Sequence, residues 1–257
     1  MAHDHLQETS VTISSDAKDL TEIFILVADD DPIAQMVTTN ILESAGYRTD
    51  SAKDGREAVE ALELKDYDLV LMDCLMPNMD GFEATRIIRN SGSDLINSKI
   101  PVIALTGLEA KDERTRCLNA GMDHLLSKPV TPDKLITVVA QALGQPKPVL
   151  PTAQQDDSDA GSGLDDEFLG SIIEKFLAEV PGVVVELQQA VASEDVIKLR
   201  NIGHRMRGIS NILEVSSLSA RSRELEQAGD SENMELAGEL AAKLIADLRK
   251  LEAALSA

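Results

Sequence analysis

Asp29-Asp30, Asp73, Thr106 and Lys128 share one feature: each stands at or just past the end of a short apolar run. The runs are Ile23 to Ala28, Leu69 to Met72, Pro101 to Leu105 and His124 to Leu126. If the runs are neighbouring parallel strands, three carboxylates, a hydroxyl and an ammonium meet at one edge of a sheet. Carboxylates crowded together repel and favour a bound cation. All-oxygen donors suit a hard ion such as Mg2+, which keeps waters and takes phosphate oxygens into its shell. A carboxylate can also attack phosphorus and form an acyl phosphate. The transferring group spreads negative charge over its oxygens, where a cation, a lysine and a hydroxyl donor can neutralise it.

A second candidate is a lone histidine. Around His204, the residues Leu199, Ile202, Met206, Ile209 and Leu213 recur at spacings of 3, 4, 3 and 4. That is the apolar seam of a helix facing a bundle core. His204 is two positions past Ile202, about 200° around the helix, so it is expected to point away from the seam, toward solvent or a partner. Arg200, Arg207, Gly208 and Asn211 share its face. Arg207 could hold a phosphoryl oxygen by charge-assisted hydrogen bonds. Gly208 costs the helix about 1 kcal/mol relative to Ala, and its missing side chain leaves room beside the imidazole. Neutral imidazole is a competent nucleophile. Spacing alone leaves two readings open, because a lone histidine is more often structural than chemical.

The elements that must position these groups follow from the pattern. Met1 to Leu20 lacks periodicity and reads as a disordered tail, with His3 and His5 solvated rather than metal-binding. Strands at 23–28, 47–52, 69–72, 101–105 and 124–126 alternate with helices at 32–45, 55–64, 80–89, 109–119 and 131–143. Pro32 opens the first helix and Gly46 closes it, the usual asymmetry. Five strands alternating with five helices predict an α/β fold, a doubly wound parallel sheet with helices on both faces. Gly144 to Gly163, with Pro146, Pro148 and Pro151, reads as a flexible linker of about 20 residues. Beyond it, helical periodicity covers 168–179, 183–192, 196–213, 218–227 and 233–255, broken at Pro181 and at Gly229-Asp230. An all-α antiparallel bundle is expected there. The expected division is tail 1–20, α/β domain 21–143, linker 144–163 and helical domain 164–257.

Composition excludes several classes. The net charge of −21 opposes nucleic-acid binding, which needs clustered Lys and Arg. From Leu164 to Ala257 there are 10 basic against 17 acidic side chains, so the helical domain is a poor DNA reader. No apolar stretch reaches the roughly 20 residues that span a bilayer. No signal peptide is evident. Cys74 and Cys117 lack metal-ligand spacing and read as reduced thiols of a cytoplasmic protein.

The α/β domain resembles the receiver domain of two-component response regulators. The likeness rests on Ile25-Leu26-Val27-Ala28-Asp29-Asp30-Asp31-Pro32, Leu71-Met72-Asp73-Cys74-Leu75-Met76-Pro77-Asn78-Met79-Asp80-Gly81, Ala104-Leu105-Thr106-Gly107 and Ser127-Lys128-Pro129. It implies a flavodoxin-like fold with Asp73 as phosphoacceptor. It also implies Mg2+ on Asp29, Asp30, Asp73 and the Leu75 backbone carbonyl, with Thr106 and Lys128 on the phosphoryl group. Leu125 stands where the family often has an aromatic ring that rotates on phosphorylation, so switching of helix 109–119 is expected to be muted.

His204-Arg205-Met206-Arg207-Gly208-Ile209-Ser210 resembles the signature of histidine phosphotransfer domains, with Arg207 where lysine is commoner and Ile209 where a small residue is usual. That likeness implies a phosphohistidine at His204. Together the two resemblances imply a phosphorelay intermediate, fed by a histidine kinase or hybrid kinase and passing phosphate to or from another receiver-domain response regulator. No kinase core or nucleotide-binding loop is evident, so self-phosphorylation from ATP is not expected. The competing expectations are a phosphate sink or kinase-docking scaffold, and the C-terminal part of a hybrid sensor kinase.

Overall fold

Strands whose side chains are apolar at every position are stable only when both faces of their sheet are covered. The computed structural model describes residues 19–92, 96–107, 111–128, 130–146 and 166–255. In it, β1 (Phe24–Ala28), β2 (Arg48–Ala52), β3 (Leu69–Asp73), β4 (Val102–Thr106) and β5 (His124–Ser127) form one parallel sheet in the order β2-β1-β3-β4-β5. β3 and β4 are buried along their whole length, while β2 forms a more exposed edge. Between and after the strands run α1 (Pro32–Ser44), α2 (Gly55–Leu64), α3 (Gly81–Asn90), α4 (Lys111–Ala120) and α5 (Pro132–Ala142). The chain winds one way from β1 to β2 and the other way from β3 to β5. That reversal opens a crevice at the C-terminal ends of β1 and β3.

Among its described residues the helical domain has four helices: α6 (Asp166–Ala192), α7 (Val196–Ile212), α8 (Ser216–Asp230) and α9 (Met234–Leu255). Five were expected. α6 runs unbroken through Pro181. A helix-interior proline costs about 3 kcal/mol through one lost donor and a crowded carbonyl. Phe176, Val180, Val183, Val184 and Leu187, on both sides of it, are buried. At roughly 1.5–3 kcal/mol per buried large side chain, core packing outweighs the proline. α8 likewise continues through Gly229 to Asp230.

Smaller departures lie at element ends. Asp19 caps a short turn at Leu20–Glu22, so regular structure starts within the expected tail. Tyr47 precedes β2, and Asp73 and Thr106 are the last residues of β3 and β4 rather than the first beyond them. His3, His5, Pro129 and most of the expected linker lie outside the described residues.

One core cluster lies between the sheet and α2, α3 and α4, around Leu26, Val70, Met72, Phe82 and Ile88. On the opposite face, Ile25, Val27 and Leu71 pack with α1 and α5, and this cluster continues into the bundle core around Phe176, Leu199 and Ile202. Cys74 and Cys117 are buried, with sulfurs 3.7 Å apart. No helix among the described residues is long and apolar enough to cross a membrane.

Candidate functional site

The crevice is lined by acids because β1 and β3 deliver them there. Asp29 and Asp30 follow β1, and Asp73 closes β3. Candidate ligand oxygens of Asp29, Asp30 and Asp73 all lie within 4.8 Å of one another. Lys128, just past β5, places its Nζ 2.8 Å from Asp29 Oδ2 and 2.7 Å from Asp73 Oδ2. Asp29 Oδ1 accepts from the Asp31 N–H at 3.0 Å, and Asp73 Oδ1 from the Leu75 N–H at 3.3 Å. Asp31 turns the other way and caps α1, its Oδ1 accepting from Ile33 N at 2.9 Å and Ala34 N at 3.3 Å. Thr106 is buried at the end of β4, and the next residue, Gly107, borders the crevice.

The electrostatics are those of charge out of water. Burial, then the charges of Asp73 and Asp29, push Asp30 up to about 7. Burial and the Asp29 charge push Asp31 up to about 7 as well. Asp29 is also raised, chiefly by burial, against the pull of Lys128. Burial alone would lower the Lys128 pKa, but the carboxylates of Asp29 and Asp73 outweigh it and hold it above the usual lysine value. Three acids facing one ammonium leave an excess of negative charge on oxygen donors. That donor set fits a hard divalent cation.

His204 is buried, at 8% exposure, where a direction toward solvent or a partner was expected. Its Nδ1 lies 2.7 Å from Glu226 Oε1, a carboxylate that is itself 2% exposed. Glu226 comes from α8, and the close approach of α7 and α8 is set at Gly203. A Cβ there would stand 2.9 Å from Ser222 O and 2.8 Å from Glu226 N. Arg207 Nε lies 2.9 Å from Glu226 Oε2, an ion pair whose N–H is not aligned for a hydrogen bond. Burial works to raise the Glu226 pKa. The hydrogen bond and charge of His204, with the charges of Arg207 and Arg200, prevail and hold it below the usual carboxylate value.

The two constellations meet. A crevice of about 10 Å³, room for about one water, is lined by Asp30 and Asp73 on one side and His204, Arg207 and Gly208 on the other. Arg207 Nη1 donates to the Gly107 carbonyl across it at 2.8 Å. Gly107 has no room for a side chain: a Cβ would collide with Arg207 Nη2 and stand 2.7 Å from His204 Cε1. A Cβ at Gly208 would meet only Asp31 Oδ2, at 3.7 Å. The close approach therefore needs the glycine of the β4–α4 loop more than the one beside the histidine. A wider cavity of about 350 Å³ opens alongside, past Asp30, Leu75, Asn201 and Arg205.

Residues 25–140 match the response regulator receiver domain, and residues 171–255 match the Hpt, or histidine phosphotransfer, domain. The chain is a receiver domain followed by a histidine phosphotransfer domain. The sensor protein EvgS of Escherichia coli is 33% identical over 208 residues, covering 80% of this chain and 17% of that protein. The sensor histidine kinase RcsC of Salmonella typhi is 42% identical over 119 residues, covering 46% of this chain and 12% of that protein. The chain thus spans less than a fifth of the length of either relative. The receiver domain of a sensor histidine kinase from Pseudomonas aeruginosa, solved with magnesium in its active-site cleft, is 38% identical. That likeness covers 48% of this chain and 98% of that one, with a TM-score of 0.44.

Within the receiver, Asp29, Asp30, Asp73 and Lys128 are in mutual reach and Thr106 and Leu75 adjoin them. Within the phosphotransfer domain, His204, Arg207, Gly208 and Asn211 line the crevice, Asn211 also accepting from Ser219, whereas Arg200 pairs with Asp230. Two residues were missed from the sequence. Glu226 carries no motif and lies 22 positions from its partner; a cue was Gly203, one helical position before the histidine. Gly107 stood in a quoted motif, but nothing in the sequence tied it to the other domain.

Proposed function

We propose that the chain is a phosphorelay intermediate. Asp73 accepts a phosphoryl group from a histidine kinase or hybrid kinase, and His204 passes it to or takes it from a receiver aspartate. The observation that carries this reading is the shared crevice, where Asp73 and Lys128 face His204 and Arg207. Asp29, Asp30 and Asp73, with the Leu75 backbone carbonyl, would hold Mg2+. When bound, the ion neutralises charge on the phosphoryl oxygens and the carboxylate they leave.

The chain's own groups do the rest. A carboxylate oxygen of Asp73 is the acceptor. Lys128 and Thr106 hold phosphoryl oxygens, and Arg207 offers them a further positive charge. Glu226, on Nδ1, favours the tautomer with its proton there, which leaves Nε2 as the free nucleophile. Gly208 lines the crevice beside the imidazole and adds no side chain to it. In this reading the receiver covers 21–143 and the phosphotransfer domain 164–257, joined by 144–163, most of which lies outside the described residues. A downstream response regulator is the outside partner, neither nucleic acid nor membrane insertion is involved, and the protein works in the cytoplasm.

Labelling with a small phosphodonor in Mg2+ tests this. Wild type should carry label on Asp73 and as acid-labile, alkali-stable phosphohistidine at His204. Asp73→Asn should take none, and His204→Gln should trap label on the receiver. If label never reaches His204, including from other molecules, the helical domain is a docking module or the receiver a phosphate sink.

A further inference from the structure

We propose that the closed arrangement is the transfer complex itself: Asp73 and His204 of one molecule exchange the phosphoryl group in cis, and while closed the molecule bars outside partners from both. This rests on the phosphorelay reading above. It adds the route and its consequence for access.

Three observations carry it independently of the motifs. The first is a set of polar contacts that cross between the domains at the reacting groups. Arg207 Nη1 donates to Gly107 O at 2.8 Å, and Lys175 Nζ donates to Pro32 O at 3.3 Å. Gly208 sits against Asp31. Arg207 joins the domains with one fork: Nη1 holds the receiver loop while Nε pairs with Glu226, the carboxylate on His204. A lysine has one ammonium for both tasks.

The second observation is apolar continuity. The cluster under α1 and α5 of the receiver runs into the bundle core without a break. The third is charge. α7 carries Lys198, Arg200, Arg205 and Arg207 and no acidic residue, within a domain of 10 basic and 17 acidic side chains. This basic helix is the one that faces the acid edge of the receiver. Arg205 feels the charges of both Asp30 and Asp31 across the gap.

The step balances within the crevice. The Nε2 lone pair of His204 attacks phosphorus and an N–P bond forms. The P–O bond to Asp73 breaks, and its electron pair leaves with the carboxylate, where Lys128 waits. The imidazole becomes a phosphoimidazolium whose Nδ1 proton stays on the hydrogen bond to Glu226. With Asp73 at 1% and His204 at 8% exposure, neither a kinase histidine nor a second receiver reaches its target until α7 lifts away. Closing therefore serves transfer, and opening serves loading and delivery.

Mixing the two single variants separates cis from trans. Asp73→Asn supplies only an acceptor histidine, and His204→Gln only a phosphorylated receiver, so label on His204 in the mixture has crossed between molecules. A tether of this length sets an effective concentration of about 1 mM, so at about 1 µM protein the mixture should fill His204 about 1000-fold more slowly than wild type. The wild-type rate per molecule should stay constant on 100-fold dilution. A mixture as fast as wild type, or a wild-type rate that falls in proportion to dilution, overturns the cis route and leaves the relay standing. No phosphohistidine in either arm overturns both.

Discussion

The receiver site and the phosphotransfer histidine are built by different logics. The acid edge is assembled by topology: parallel strands end at the same side, and the reversal of strand order at β1 and β3 leaves their terminal residues facing one crevice. Its members are distant in sequence, yet each is marked by its place at or just past the end of a strand. His204 depends instead on which neighbour its helix meets. Its anchoring carboxylate, Glu226, is an ordinary mid-helix residue of α8 until α7 packs against it. A site made by sheet topology tolerates reading from fragments, and a site made by helix packing does not.

The largest effects should expose this division. Asp73→Asn should abolish phosphoryl acceptance, about 1000-fold or more, because an amide in place of the Asp73 carboxylate is no nucleophile toward phosphorus. His204→Gln should leave acceptance by Asp73 within about twofold. If His204→Gln also blocked receiver labelling, the two sites would be one unit rather than two, and the comparison would fail. The readout is label stability in acid and alkali for each variant.

Glu226→Gln comes next. It keeps the shape of the side chain and removes the charge that favours the Nδ1-protonated tautomer. Transfer to His204 should slow by roughly 100-fold, with Asp73 labelling unchanged. The imidazole nitrogen NMR shifts of His204 should show a mixture of tautomers. A pH effect follows from the lowered Glu226 pKa. The unfolded chain takes up this proton at a higher pH than the folded one. The stabilisation is therefore complete above the ordinary glutamate value of about 4.3, and is lost as pH falls through the depressed folded value. Urea midpoints of Glu226→Gln should start lower than wild type and fall less steeply on acidification through that window.

Much of the architecture was legible, and the reasons differ by region. Strand runs such as Leu69 to Met72 are apolar at every position, and only a two-sided sheet accepts that pattern. In the bundle, periodicity found the helices but not their ends. Pro181 looks like a break because proline is costly in isolation, and the packing that overrides it lies in other helices. The wheel geometry of His204 was sound as far as it went: the side chain does point away from the Leu199–Ile202–Met206–Ile209 seam. A helix inside an assembly has more than one covered side, however. The face opposite the seam is taken by α8 and by the receiver, so of the two alternatives, solvent or a partner, it is the partner that His204 meets, within the same chain. Glu226 was illegible because no local pattern records which helix face it will meet.

Arg207→Lys tests whether the fork matters. The charge survives, but one ammonium cannot hold both Gly107 O and Glu226. Loss of one charge-assisted hydrogen bond at about 1.5 kcal/mol corresponds to roughly tenfold slower transfer within the molecule. Receiver labelling should not change. An unaltered wild-type-like rate would mean that charge alone aligns the domains, and the helix-packing site would be less demanding than the comparison holds.

The smallest effect sharpens the comparison most. Gly208 and Gly107 face each other's domains, and the sequence motif places the need for space at Gly208. The geometry places it at Gly107. Gly208→Ala adds a Cβ at ordinary contact distance, 3.7 Å from Asp31 Oδ2, and removes a glycine from the interior of α7. It should leave transfer within about threefold and stabilise the helical domain by up to about 1 kcal/mol, a rise of several degrees in Tm for a domain of this size. Gly107→Ala puts its Cβ into Arg207 and against His204 Cε1, so the domains must part or the side chains must shift. Its transfer rate should fall more than that of Gly208→Ala, with the receiver's own labelling as the internal reference. The reverse ranking would mean that the helix carrying the histidine, not the receiver loop, sets the distance of approach.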